Sequence, residues 1–525
     1  MRANPNQKAV WIEFLARGLL LLLCLAPVLA ASSALLTSPA KTYALSLELV
    51  GSLRLWGLWG KTCAIALGSA AFSALLGGTL GVCLDGVNRR FQHGIPALLI
   101  VPALLPTHVL AVAWIDVLGQ RGLLAGFGIP VFSIYSSLGV VLVHSLSWFP
   151  LSMVAVWHRL QNLDPSIREA ASTVSTTGPI FWRITLPLLW PALAFAALAV
   201  FVLSLLSFSV PSLLQVPVYT VEIYTSFNSL LDGRQAVLLA FPLATTGILA
   251  AIALLRYSPP PSRHSGAGRP YAENARASGR WQLGVSLLVS LVILGLPCLA
   301  LLRRVGSVAS VGYAWQTGVH EIGTSLLLGG LGATLLLLLV LPLALKHTSG
   351  IRSLLWPSAL AYLLSGPVFG VGLIQLWNHS GPAGFLYDHF SILLIAVLGR
   401  YAVFAWLGCR LAIQWLPHNC VDVARSLGAK PWYRLVTIEL SLLRRPLLAV
   451  WSGLFLLIMG ELDSIVLVAP PGWVPVSLRI FTLMHYGPSA LVSALALLQA
   501  LAAGATLLLC AFLLHSGKVY RSDKS

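Results

Sequence analysis

The stretch IMGELDSIVLVAPPG places two carboxylic acids, Glu461 and Asp463, inside an apolar run. A charged carboxylate in hydrocarbon costs roughly 2–3 kcal/mol or more, so each acid must meet a polar cavity or a partner. Carboxylate oxygens facing a cavity suit a cation or a hard metal ion. The structural alternative pairs both acids with Arg400, itself inside an apolar run, or with helix termini. Counting equal distances from Pro187 and from Ser441 matches Glu461 and Asp463 to Ser207 and Ser209, so hydroxyls in one place answer carboxylates in the other. Asp116, matched to Gln375, is a further acid of this kind, nearer the outer end of its run.

A second group of residues has a different chemistry. VDVARSLGAKPWYRL, residues 421–435, carries Asp422, Arg425, Lys430 and Arg434 in a chain of which only 9% is charged. It has a counterpart in LDPSIREAASTVSTTGPIFWRITLPLLWPAL, residues 163–193. There Asp164 and Pro165 can cap and start a helix, and Glu169 near that N-terminus is stabilised by roughly 0.3–1 kcal/mol through the helix dipole. A glycine such as Gly428 either ends the helix or lets another backbone approach closely, and Pro187 redirects the chain into the next apolar run. Such a hairpin lies along a membrane face with one side free for a partner.

The elements that must position these residues follow from composition. With 58% hydrophobic residues and a mean hydropathy of +0.86, the chain has more apolar surface than one soluble core can bury. The runs are Leu/Ala/Val blocks too long for tilted barrel strands of about 10 residues. The expected fold is all-α, a polytopic membrane protein of about 12 transmembrane helices. The runs fall at 17–36, 59–84, 95–119, 135–158, 189–210 and 236–255, then at 281–302, 322–346, 353–377, 390–415, 446–468 and 489–514.

Between the two sets, residues 256–280 combine a Pro run, Gly, Ser and several arginines, and read as a solvated cytoplasmic linker. This gives two tandem six-helix repeats, 1–255 and 281–525, each with a polar loop after its fourth run, at about 161–188 and 416–445. The repeat extends to LLPTHVLAVAWIDVLGQRG from Leu104 and LLSGPVFGVGLIQLWNHSG from Leu363, which match without a gap.

Leu19 to Ala31 also resembles a signal peptide, whose removal would reverse everything downstream. The charges argue against it: an N-terminus placed inside puts most of the 33 Lys and Arg residues in cytoplasmic segments, so both termini are expected there. A net charge of +17 spread over short loops reports topology and anionic lipid, and nucleic acid is a poor partner for it. The seven cysteines form no CxxC pair and accompany no histidine cluster, so no metal site is expected.

At the two polar loops a family resemblance appears. Glu169-Ala170-Ala171 followed by Ile184-Thr185-Leu186-Pro187 resembles the EAA loop of ABC importer permeases: EAA, three residues, Gly, nine residues, then I-x-L-P. The second copy, Asp422-Val423-Ala424, Gly428, then Ile438-Glu439-Leu440, keeps that spacing. Two fused six-span halves in one chain resemble the ferric-iron and thiamine importer branch. The departures are Ser175 at the first glycine position with Gly178 further on, a run one residue short before Ile184, Asp422 for Glu, and Ser441 for the final Pro.

The resemblance implies a subunit of the bacterial inner membrane that forms a translocation path, with Glu461, Asp463, Ser207, Ser209 and Asp116 along it. It implies two copies of an ABC ATPase docked on the loops and a periplasmic substrate-binding protein, with ferric iron as cargo and thiamine or another small solute as the alternative. The chain has no G-x-x-x-x-G-K-[ST] phosphate loop, so it is not expected to be an enzyme or to bind a cofactor; ATP would be used by the partner ATPase. A secondary transporter also fits twelve spans, but lacks matched loops of this kind and carries its ion sites at broken helices near the midplane.

Overall fold

The computed structural model describes residues 5–87, 91, 94–129, 132–164, 166–167, 171, 173, 177–229, 233–256, 279–345, 352–430 and 433–522. The linker segment 257–278 lies outside the described residues, as do Glu169, Ala170 and Ser175. Among the described residues the chain is helical without a strand. Eleven helices among these residues are long and apolar enough to cross a membrane, and a bent pair makes twelve. This is a polytopic, all-α membrane protein.

The first six spans are built from α1 (Pro5–Ser33), α2 (Leu53–Asp85), α3 (Gly94–Leu104) with α4 (Thr107–Leu118), α5 (Ser137–Gln161), α6 (Leu186–Leu206) and α9 (Gly233–Arg256). Two short helices, α7 (Ser209–Leu213) and α8 (Tyr219–Asn228), lie between α6 and α9. The second set opens with a helix from Gly279 that passes through a π turn at Leu291–Gly295 into α10 (Leu296–Val305). It continues with α11 (Val308–Leu345), α12 (Arg352–Leu363) with α13 (Gly366–Trp377), α14 (Ser391–Ile413), the loop helix α15 (His418–Ser426) and α16 (Leu440–Met459). Then come α17 (Ile465–Val468), α18 (Val476–Tyr486) and α19 (Ser489–Ser522).

Two expectations are corrected. The third spans, read as continuous over 95–119 and 353–377, are each broken at the matched place. Leu104 and Leu363 end one segment, Thr107 and Gly366 start the next, and α12 and α13 meet at 105°. Pro106 and Ser365 hold the breaks in extended conformation, with ψ of 133° and 148°. Pro106 is itself the extended residue that precedes α4, its ring fixing φ at -55°, and Pro367 sits in the first turn of α13, where its missing N–H costs no intrahelical bond.

The fifth spans, read as 189–210 and 446–468, stop at Leu206 and Met459. Glu461 and Asp463 therefore lie in a break between α16 and α17, not inside a span helix. Hydropathy counts apolar side chains and is blind to a backbone that leaves the helix while its residues stay apolar.

The two sets interlock. α1 packs on α12, α13 and α14 of the second set, and α10 packs on α4 of the first. The first of these interfaces is tight: a Cβ on Gly372 would stand 2.7 Å from the carbonyl carbon of Pro27, and one on Gly399 2.5 Å from the carbonyl oxygen of Leu23. With little hydrophobic drive between helices in lipid, such close approach supplies the van der Waals contact that holds spans together. The largest cluster of buried side chains accordingly joins Leu20 and Cys24 of α1 to Phe369, Ile392, Ala396 and Leu454.

Candidate functional site

The four helix breaks meet, and residues 460–464 are their hub. On one side Gly460 abuts the first third-span break, where an added Cβ would stand 2.9 Å from the Cβ of Pro106. Beside it, His108 Nε2 and Gln499 Oε1 lie 2.9 Å apart, and Gln499 Nε2 donates to the Met459 carbonyl at 3.3 Å. On another side Gly366, at the second third-span break, has room for no side chain because its Cβ would stand 2.5 Å from that of Asp463. Toward the first fifth-span break, the Asp463 carboxylate accepts from the backbone N–H of Phe208 at 3.2 Å and of Ser209 at 3.0 Å.

Glu461 is held as fully. Its Oε1 accepts from Ser464 N at 2.7 Å and Ser464 Oγ at 2.6 Å, and its Oε2 accepts from Tyr401 Oη at 2.5 Å. Arg400 Nε stands 3.4 Å from Oε1, and both side chains are almost fully buried, at 3% and 5% exposure. Arg400 also donates through Nη1 to the Leu364 carbonyl at 3.1 Å and lies 5.0 Å from the Tyr362 ring centre. One guanidinium thus ties the end of α12 to the end of α16. In a dry site the desolvation of such a pair rivals its attraction, so the extra donors on Glu461 are what make the arrangement tolerable.

The same scaffold recurs in both sets. Thr220 Oγ1 donates to the Ser207 carbonyl at 2.9 Å, and Ser477 Oγ to that of Glu461 at 2.8 Å. Tyr219 N donates to Thr62 Oγ1 and Val476 N to Ser325 Oγ, both at 2.9 Å. Ion pairs join the same helices with the charges exchanged: Arg54 of α2 with Glu222 of α8 at 2.8 Å, and Glu321 of α11 with Arg479 of α18. Where the second set has Arg400 and Glu461 between its fourth and fifth spans, the first has His144 Nδ1 and Ser204 Oγ, 2.6 Å apart.

The second polar loop is equally defined. In α15, Val421 and Ala424 are buried while Val423 and Leu427 are 57% and 82% exposed. Its end is a Schellman turn: Gly428 N donates to the Arg425 carbonyl and Ala429 N to that of Ala424, each at 3.0 Å. Gly428 has φ +75°, and among the described residues no atom beyond its chain neighbours lies within 4 Å of where its Cβ would stand. Backbone conformation, not crowding within the chain, therefore requires glycine there. The Asp422–Arg425 pair at 3.7 Å is 67% exposed on both sides and contributes about 0–1 kcal/mol. In the first loop Asp164 Oδ1 accepts from Ser166 N at 3.0 Å, which holds this exposed carboxyl below the usual carboxylate range. Both loops enter the next span through a π turn, Phe181–Thr185 before Leu186 and Arg434–Glu439 before Leu440.

No family model matches the chain. It is 27% identical to the Fe(3+)-transport system permease protein FbpB 2 of Haemophilus influenzae over 70% of its own length and 72% of that protein's. The chain is a relative of ABC importer permeases. A permease protein of Salmonella paratyphi A named for 2-aminoethylphosphonate transport is 32% identical over 26% of this chain and 52% of its own. The molybdenum transport system permease protein ModB of Mycobacterium bovis is 26% identical over 33% of this chain and 61% of its own.

The structure brings some of the sequence-selected residues together and keeps others apart. Asp463 and Ser209 touch, and Ser207 and Glu461 occupy equivalent carbonyl positions beside them. Asp116 is elsewhere on α4, buried, with Ser493 Oγ donating to it at 2.5 Å and Arg304 Nε 3.3 Å away. In the loops Ala171 is buried, Gly178 is open, and Pro187 sits in the first turn of α6. Asp422, Ala424, Gly428, Ile438 and Leu440 lie in α15, its capping turn and the entry to α16. Tyr401, His108, His144 and Gln499 escaped the sequence reading. Their signal is a polar side chain in an apolar run, which ranks with the acids once hydrogen-bonding groups are counted as well as charges.

Proposed function

We propose that this permease forms the membrane path of a binding-protein-dependent ABC importer of the inner membrane, and that ferric iron is its cargo. The observation that carries the path is the meeting of matched helix breaks from both sets of spans. Irregular backbone at membrane depth is tolerated only where it is buried in protein or lines a path. The observation that favours iron is the Fe(3+)-transport relative, which is aligned over most of its own length. Glu461 and Asp463 do not supply the argument, since their carboxylates are engaged by donors of this chain.

In this reading both termini and the linker are cytoplasmic, and the polar loops dock two copies of an ATPase. Exposed Val423 on α15 and Leu427 at its C-cap, about one helical turn apart, form an apolar ridge for such a partner. A periplasmic binding protein delivers cargo to the opposite face, and ATP is spent in the partner subunits. The test is uptake of radiolabelled ferric iron by cells with and without the gene. Loss of iron uptake on deletion, restored by the gene, is expected; unchanged iron uptake overturns the cargo. Loss of phosphonate or molybdate uptake instead moves it to the chemistry of the other relatives.

A further inference from the structure

The match between Ser209 and Asp463, at equal distance from the starts of α6 and α16, acquires a geometric meaning because the two residues touch. Two six-span sets joined in tandem run in the same sense, so the axis relating them lies along the membrane normal. A segment in contact with its own repeat counterpart must lie at that axis, as in any isologous contact. The fifth-span breaks therefore stand at the centre of the assembly, where a path between the two sets has to run.

The symmetry is not kept in detail. Only Ser207 and Phe208 separate α6 from α7, whereas Gly460 to Ser464 separate α16 from α17. The longer break carries the Asp463 carboxylate across the axis to the N–H groups of Phe208 and Ser209. No reciprocal bond from Ser209 to the second break exists among the described residues.

We infer that Asp463 is a cross-axis latch that closes the path, with Arg400 and Glu461 as its positioning residues. The carboxylate bonds two backbone donors freed by the first break, and such charge-assisted bonds are stronger than neutral ones. Its own placement is fixed from behind: Gly366 packs against the Asp463 backbone, and Glu461, two residues earlier, is clamped by Arg400, Tyr401 and Ser464. The first set contributes the two backbone N–H donors, its fourth and fifth spans being joined by His144 and Ser204. Opening the path requires these two bonds to part, so the second set carries the bolt and the first the socket. The inference gives the proposed importer its closing element, yet its test needs no cargo.

The test is thiol labelling in sealed membranes with an impermeant maleimide, read peptide by peptide. Ser209→Cys introduces a thiol at a position 5% exposed, and native Cys409, fully buried in the second set, is the internal control. With Asp463 intact, Ser209→Cys labels slowly. Adding Asp463→Ala is expected to speed labelling at least about tenfold, the ratio equivalent to 1.4 kcal/mol. Adding Asp463→Asn, which keeps the size and one acceptor oxygen, gives an intermediate rate. Labelling of Cys409 stays unchanged in both. An unchanged Ser209→Cys rate overturns the latch, as does a parallel rise at Cys409, which signals general loosening. If Asp463→Ala does not accumulate, the Asn variant decides by the same two readouts. Faster labelling in a protein that imports no iron leaves the latch standing and removes only the cargo.

Discussion

Arg400 and Glu461 offer a test in which the sign of an asymmetry is set by geometry. Both side chains are almost wholly buried, so removing either partner of the pair costs on the order of 3–5 kcal/mol. The two ends of that range belong to different variants. In Arg400→Met, Glu461 keeps three donors, from Tyr401 Oη and from Ser464 N and Oγ, so the abandoned charge remains well solvated by protein. The cost should fall near 3 kcal/mol. In Glu461→Gln, Arg400 keeps one carbonyl, that of Leu364, and the face of Tyr362, while the new amide nitrogen confronts donors. That cost should fall near 5 kcal/mol.

The double variant loses both charges together and should cost less than the sum, with a coupling of at least about 2 kcal/mol. The assay is SDS-titrated unfolding of the purified protein in mixed micelles, followed by tryptophan fluorescence. Additive single effects, or a larger loss for Arg400→Met than for Glu461→Gln, would refute the account of the cluster.

Other outcomes follow from the same geometry. Gly366→Ala forces a methyl into the space of Asp463 and should destabilise by about 1–3 kcal/mol, whereas Gly330→Ala, with nothing within 4 Å, should be silent in the same unfolding assay. Gly428→Ala must hold an L-residue at φ +75°, at a cost of roughly 1–2 kcal/mol to the α15 cap; cargo-stimulated ATPase activity of the reconstituted complex should fall, while membrane insertion, measured by fractionation, should not. Gly428→Trp should abolish that coupling and Ser175→Trp should weaken it less; equal loss in both would remove the proposed difference between the loops. Asp164 has a lowered folded pKa, so its contribution to the first loop is present above the ordinary carboxylate range and disappears as pH falls through the lowered value. Protection of the Ser166 amide, measured against its intrinsic exchange rate at each pH, should fall over that acid window, and Asp164→Ala should remove that change. Labelling of cysteines placed at Gly266 and Ser525 should occur only from the cytoplasmic side, and labelling of either from outside would reverse the proposed orientation.

The sequence by itself determined the class of this protein, the twelve apolar runs and the two polar loops. Those features are cumulative or local. Twenty apolar residues define a span whatever surrounds them, and a glycine such as Gly428 marks a helix end through its own φ. The match of the third spans was also legible, since Leu104 and Leu363 end their segments at aligned positions. The breaks at that place were not. Prolines also lie inside unbroken helices, at Pro27, Pro150 and Pro242, so Pro106 by itself announces nothing.

Only the tertiary structure decided that α1 crosses to the second set, because lipid and protein are equally apolar surroundings for Leu20 and Leu23. It alone decided that Glu461 turns back to Arg400 while Asp463 reaches across to Phe208 and Ser209. A carboxylate in an apolar run must find donors, and the sequence states that need. Which donors it finds depends on backbone N–H groups freed by a break more than 250 residues away, and no local pattern encodes that distance.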